Sequence, residues 1–174
     1  MNSSNIILIG MPGVGKSTVG VILAKQLGYM FTDSDLLIQQ SEKKLLKDII
    51  AEKGVDGFIE VEENILSDLG TDRYVIATGG SAVYGKRAME HLKSIGTVVY
   101  LKLGYEVLCK RLGDLKGRGV VLREGQDLKA LYEDRIPLYE KYADIVVEEH
   151  DSGIEDTLDR LLEELDCCFG MKNL

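Results

Sequence analysis

The chain has 174 residues, of which 45% are hydrophobic and 29% charged, and carries a net charge of −8. That length fits one globular domain with a proper core. The acidic balance argues against a nucleic-acid-binding protein, which needs a basic face, but allows a small anionic ligand held at a local positive site.

The first ten residues, MNSSNIILIG, carry no basic n-region, and their apolar run is too short for a signal peptide. No stretch approaches a membrane-spanning length. Asn5–Ile9 (NIILI) reads as a buried strand and Lys16–Leu27 as a helix, with Val19, Ile22, Leu23 and Leu27 on one face and Gly28 as its stop. Residues 29–32 read as a second strand. Residues 36–50 are expected to be largely helical, and 57–69 to form another helix with Phe58, Val61, Ile65 and Leu69 at helical spacing. Tyr74–Ala77, 97–101 and 145–147 complete five strands, with helices between them at 86–92, 105–112, 127–142 and 154–165. Strands alternating with helices imply a parallel sheet covered on both faces. Residues 113–125 (GDLKGRGVVLREG), with four glycines and three basic residues, read as a mobile basic loop. The tail after Leu165 is expected to be loosely ordered. The cysteines Cys109, Cys167 and Cys168 have no metal-like spacing with His91 or His150, so free thiols in the cytoplasm are expected.

Residues 10–17, GMPGVGKS, match G-x-x-x-x-G-K-[ST] between a strand and a helix. Such a loop turns backbone N–H groups towards a phosphate at a helix N-terminus. Lys16 supplies a point charge for the β- and γ-phosphates, and the Ser17 hydroxyl is suited to Mg²⁺. A plain Gly-rich turn is the competing reading, and the match in its context favours nucleoside-triphosphate binding. No Asn-Lys-x-Asp segment suggests a GTP switch, and neither YVIA nor TVVYL ends in a Walker B acid. The candidate acids are Asp33 and Asp35, in FTDSDLL at the end of the second strand. Asp-Ser-Asp is also a good start for a helix. Strand C-termini in a parallel sheet converge on the crevice that holds the loop, so the pair is expected to face the phosphates. One acid then assists the metal, and the other orients a hydroxyl and accepts its proton.

From about residue 5 to 165 the chain resembles the shikimate kinase family. The matching pieces are GMPGVGKST, DSD, GFIEVEE, ATGGSAV, Arg118 and DRIPLY, in that order. The resemblance implies one P-loop kinase domain with a five-stranded parallel sheet in order 2-3-1-4-5 and helices on both faces. It implies acceptor-binding helices at about 35–69 and a lid at about 113–125. Gly13, Val14, Gly15, Lys16, Ser17, Thr18, Arg111 and Arg118 would bind ATP, with Arg111 against the adenine and Arg118 reaching the phosphates. Ser17 and Asp33 would serve Mg²⁺. Asp35, with Lys16 and Arg118, would be catalytic. Asp35, Gly79, Gly80, Ser81 and Arg135 would line the acceptor site, Arg135 gripping a carboxylate.

Three departures lie on the acceptor side. Ile59 stands where the family has a second carboxylate-binding Arg, Ser81 where it has a third glycine, and an aromatic residue near Ile50 is absent. The nucleotide side is complete. The reading is therefore an ATP- and Mg²⁺-dependent small-molecule kinase, a cytoplasmic monomer in aromatic amino acid biosynthesis with shikimate as acceptor. The alternatives are another small polyol or hydroxy acid as acceptor, or a nucleotide-binding regulator without catalysis.

Overall fold

The structure, a computed structural model, describes residues 5–112, 120–150 and 153–169. Five parallel strands form one sheet: β1 (Asn5–Ile9), β2 (Met30–Asp33), β3 (Tyr74–Ala77), β4 (Gly96–Leu103) and β5 (Ile145–Glu149), in order β2-β3-β1-β4-β5. Every residue of β1 is buried, so both faces of the central strand are covered, as its unbroken apolar run requires. β5, at an edge, alternates buried and exposed positions. Helix α1 (Lys16–Leu27) packs on β2 and β3 and touches α7 (Ile154–Phe169), which packs on β5. Helices α4 (Lys86–Ile95) and α6 (Leu128–Tyr142) pack on β4, and α5 (Tyr105–Leu112) packs on α6.

Two helical expectations need correction. The segment 36–50 is not one helix: α2 (Ser34–Glu42) ends at Lys43, which turns left-handed (φ 54°), and α3 (Leu46–Ser67) begins after a short break. Gly54 (φ 72°, ψ 179°) interrupts α3 shortly before residue 57, where the second helix was expected to start. Apolar spacing persists through both breaks, which is why spacing alone blurred them. The C-terminal helix also runs to Phe169, past the expected stop at Leu165. Between α2 and α3 lies a small apolar cluster of Ile38, Ile49 and Phe58, separate from the main core and joined by Val121 from across the cleft.

The strand ends opposite the loop of residues 10–15 are tied by Asn5. Its buried side chain donates to the carbonyls of Thr71 (2.7 Å) and Ile95 (2.8 Å) and accepts from the N–H of Tyr74 (3.0 Å). Asn5→Ala strands all three groups and is expected to cost about 2–4 kcal/mol, lowering Tm by roughly 5–10 °C. Nucleotide affinity, set at the far end of β1, is expected to be unchanged in calorimetric titration.

Candidate active site

The carboxyl ends of β1, β2 and β3 open into a cavity of about 360 Å³. Helix α1 starts at its floor with Gly15 as N-cap, in the left-handed region (φ 105°) and with no side chain capping the helix. The first-turn N–H groups are thereby left to an anion. Gly13, Gly15, Lys16, Ser17 and Thr18 line this cavity. Val14 is buried and lines a neighbouring cavity instead.

Lys16 is 8% exposed and donates to the carbonyls of Gly10 (2.8 Å) and Met11 (2.9 Å). Burial lowers its pKa to about 8, with Asp35 pulling the other way. A desolvated ammonium bound only to two neutral carbonyls is electrostatically incomplete and favours an incoming phosphate.

Both readings of FTDSDLL hold at once. Asp33 ends β2 and is the N-cap of α2, accepting from the Asp35 N–H at 2.9 Å. Its other oxygen accepts from the Ser17 hydroxyl at 2.5 Å. Asp33 and Ser17 thus present two adjacent oxygen ligands beside the phosphate loop. Mg²⁺ commonly takes one or two protein ligands and completes its shell with phosphate and water. That donor set fits the expected ion. Among the described residues no cluster of three or more His, Cys, Asp or Glu forms a closed metal cage. Asp35, in the first turn of α2, lines the cavity, and burial together with Asp33 raises its pKa while Lys16 opposes the shift.

β3 delivers Thr78, Gly79, Gly80 and Ser81 to the opposite wall. The two glycines are required by close packing. A Cβ on Gly79 would lie 2.3 Å from Glu62 Oε1 and 2.9 Å from Asp35 Oδ1, and one on Gly80 would lie 2.8 Å from Arg135 Nη1. The turn is anchored on both sides. Ser34, buried between the two aspartates, accepts from the Gly79 N–H at 2.8 Å, and Tyr139 donates to the Gly80 carbonyl at 2.7 Å.

Arg135 is 1% exposed and lines the cavity. Its guanidinium donates to the Val121 carbonyl (3.0 Å) and the Tyr84 hydroxyl (3.3 Å). Among the described residues no carboxylate lies within ion-pair distance. Ile59 is half-buried and is not among the residues lining the cavity; its neighbour Phe58 provides the apolar wall. Arg118 and the segment 113–119 of the expected lid lie outside the described residues. Val120 and Val121, near the end of the expected lid, line the cavity.

Arg111 borders the second cavity, of about 290 Å³, together with Gly13, Val14 and Gly15. Its guanidinium pairs with Glu149 at 2.9 Å and reaches the Val14 carbonyl at 3.4 Å. Burial raises the Glu149 pKa, and Arg111 offsets it.

Two buried acids, Glu62 and Glu149, were not anticipated. Glu62 follows Phe58 and precedes Leu66 by one helical turn each, on the buried face of α3. A carboxylate at an apolar-face position was the available signal. Glu149 ends β5 at the inward phase of its alternation.

Residues 12–166 match the family described as Shikimate kinase. A shikimate kinase of Clostridium botulinum is 43% identical over 147 residues, covering 82% of this chain and 86% of that one. One from Pseudomonas paraeruginosa is 39% identical over 164 residues, covering 92% and 95%. The structure of shikimate kinase from Acinetobacter baumannii in complex with shikimate superposes with a TM-score of 0.84 at 33% identity, covering 98% of this chain and 96% of that one.

Tyr139→Phe removes the hydroxyl that holds the Gly80 carbonyl and leaves the ring stacked on Tyr100. Steady-state kinetics is expected to show an acceptor KM raised about 5- to 10-fold and an unchanged KM for ATP. An equal effect on both would place the turn outside the acceptor wall.

Proposed function

The chain belongs to the shikimate kinase family, and from that premise we propose that it transfers the γ-phosphoryl group of ATP to a hydroxyl of shikimate. The observation that carries this reading is the meeting of Lys16, Asp35 and Arg135 on one cavity. They present a phosphate-binding cation, a base and a carboxylate-binding cation. The sheet and family account for the fold of a P-loop kinase.

ATP lies with its phosphates over residues 10–17, and Lys16 exchanges its bonds to the Gly10 and Met11 carbonyls for the β- and γ-phosphate oxygens. Arg111, held by Glu149, forms a wall for the adenine in the second cavity. Mg²⁺, held by Ser17 and Asp33, would neutralise developing charge on the phosphates. Arg135 takes the acceptor carboxylate, with bonds it does not spend on an internal partner. The Gly79–Gly80 turn lets the acceptor ring approach the backbone. The acceptor oxygen attacks the γ-phosphorus in line, the bond to the β–γ bridging oxygen breaks and ADP leaves. The hydroxyl proton passes to Asp35 and then to solvent. The raised pKa of Asp35, caused by burial and the neighbouring Asp33, makes it a stronger base than an ordinary carboxylate. The helices from about residue 35 to 69 form the acceptor side. One chain supplies the lining of both cavities, so the proposed site as described needs no residue from a second copy. The free Cys109 and Cys167 suit the reducing cytoplasm that supplies ATP.

A specific observation favours a second acceptor, a less anionic small polyol or hydroxy acid. The resemblance sets Ile59 at the position of the family's second arginine, and no basic side chain other than Lys16 and Arg135 lines the described cavity. Lys44, near in sequence, is engaged by Glu52. Loss of one charge-assisted bond to a carboxylate costs roughly 1.5–3 kcal/mol, or about 10- to 100-fold in affinity.

A coupled assay of ADP release with ATP, Mg²⁺ and shikimate tests the proposal. Turnover supports it; turnover with other hydroxy acids or polyols alone establishes the second reading. Lys16→Ala is expected to abolish turnover, because Arg135 cannot cover the phosphates. Asp35→Asn is expected to lower kcat about 10²-fold or more. Normal kinetics in Asp35→Asn would reduce that residue to a first-turn helix acid. Ile59→Arg is expected to lower the KM for shikimate about tenfold or more and to leave the KM for ATP alone. A low-micromolar KM in the unaltered protein would contradict the missing grip.

A further inference from the structure

The acceptor wall contains a charge that the reaction outlined above does not use. Glu62, on α3, is 1% exposed. Its Oε2 accepts from the Ser81 hydroxyl at 2.6 Å, and its Oε1 has no hydrogen-bond partner among the described residues. Oε1 lies 2.3 Å from the point that a Cβ on Gly79 would take, and Asp35 Oδ1 lies 2.9 Å from the same point. The two carboxylates therefore flank the first glycine of the turn, while the Arg135 guanidinium flanks the second. No basic side chain among the described residues lies within ion-pair distance of Glu62. Two of the departures that the resemblance implies meet here: Ile59 supplies no cation on α3, and Ser81 supplies a hydroxyl to the glutamate.

We propose that the Glu62–Ser81 pair is the specificity-determining element of the acceptor cavity, admitting an anionic hydroxy acid when Glu62 carries its proton and opposing it when Glu62 is ionised. The inference rests on the acceptor reading given above.

Charge balance carries it. With Lys16 committed to the phosphates, the groups facing the acceptor are Arg135 from α6, Asp35 from α2 and Glu62 from α3. Ionised Glu62 leaves that set with a net negative charge, unsuited to a carboxylate. Protonated Glu62 leaves it neutral, with one guanidinium free to receive the anion. It also gives the buried Oε1 edge a proton donor beside the turn. The groups that face Glu62 set where this exchange happens. Burial pushes its pKa up to about 7; the Ser81 hydroxyl, Arg135 and Lys16 oppose the rise, and Asp35 adds to it. The window therefore lies near neutrality. The element also accounts for a serine at the third position of the turn, since a glycine there leaves Oε2 without a donor.

Calorimetric binding of shikimate in the presence of ADP and Mg²⁺ tests this without chemistry. For the unaltered protein the affinity is expected to fall about tenfold between pH 6 and pH 8, following the fraction of Glu62 that holds a proton. Glu62→Gln, neutral throughout, is expected to bind at pH 8 within about twofold of its own affinity at pH 6, and about as tightly as the unaltered protein at pH 6. A flat profile in the unaltered protein, or an undiminished fall in Glu62→Gln, overturns the inference and leaves the acceptor reading intact. If Glu62→Gln does not fold, Ser81→Gly takes its place. Losing the hydroxyl raises the proton affinity of Glu62, so the fall is expected to move to higher pH, and a fall at unchanged pH overturns the inference. No shikimate binding at any pH, with ADP still bound, removes the acceptor reading and this inference with it.

Discussion

The cavity at the carboxyl edge of the sheet is built around buried charges that have no ion-pair partner among the described residues. Lys16 and Arg135 are nearly inaccessible to water, and the oxygens hydrogen-bonded to them belong to backbone carbonyls and one tyrosine. Glu62 faces them from behind the glycine turn, one of its oxygens having no hydrogen-bond partner among the described residues. Taking a charge out of water without a partner costs several kcal/mol, so such groups persist where a ligand completes them. On the proposed reading, Lys16 is completed by phosphate and Arg135 by a carboxylate. Everything else in the fold serves to hold these groups apart from one another and pointed at a common space.

Strand order does most of that. β1, β3 and β2 are consecutive neighbours, so the phosphate loop, the glycine turn and the Asp33–Asp35 segment leave the sheet side by side. Each is then pinned by the next. Ser17 reaches Asp33, Asp33 caps the helix that carries Asp35, and Ser34 between them holds the N–H of Gly79. From the far side α6 contributes Arg135 and, one turn later, Tyr139, which closes on Gly80. The proposed nucleotide and acceptor sides are thus linked through one set of hydrogen bonds, in which a cap and a candidate metal ligand are the same side chain.

The sequence made the sheet order legible only through the resemblance, but the loop GMPGVGKS and the acid pair were legible from chemistry alone. Glycine, lysine and serine at that spacing have few other uses. The inward turn of one glutamate in GFIEVEE was not legible. Glu60 is exposed, Glu63 accepts from the Arg87 N–H, and Glu62 is buried. Which of the three points inward depends on the phase of α3, and that phase is set after the interruption at Gly54. The break near Lys43 was missed for a related reason, since apolar residues on α2 and α3 serve one cluster and keep a helical rhythm across the gap. Ile59 shows the limit of reading roles by position: the side chain falls outside the cavity lining and Phe58 takes the wall.

The most direct test of an acceptor site held by one arginine is a crystal structure with ADP, Mg²⁺ and shikimate bound together. The account predicts the carboxylate on Arg135, a hydroxyl against Asp35 with the phosphates over Lys16, and no second basic side chain on the carboxylate. A carboxylate bound instead by Lys44 or Lys47, or a ligand seated away from the Gly79–Gly80 turn, would contradict it.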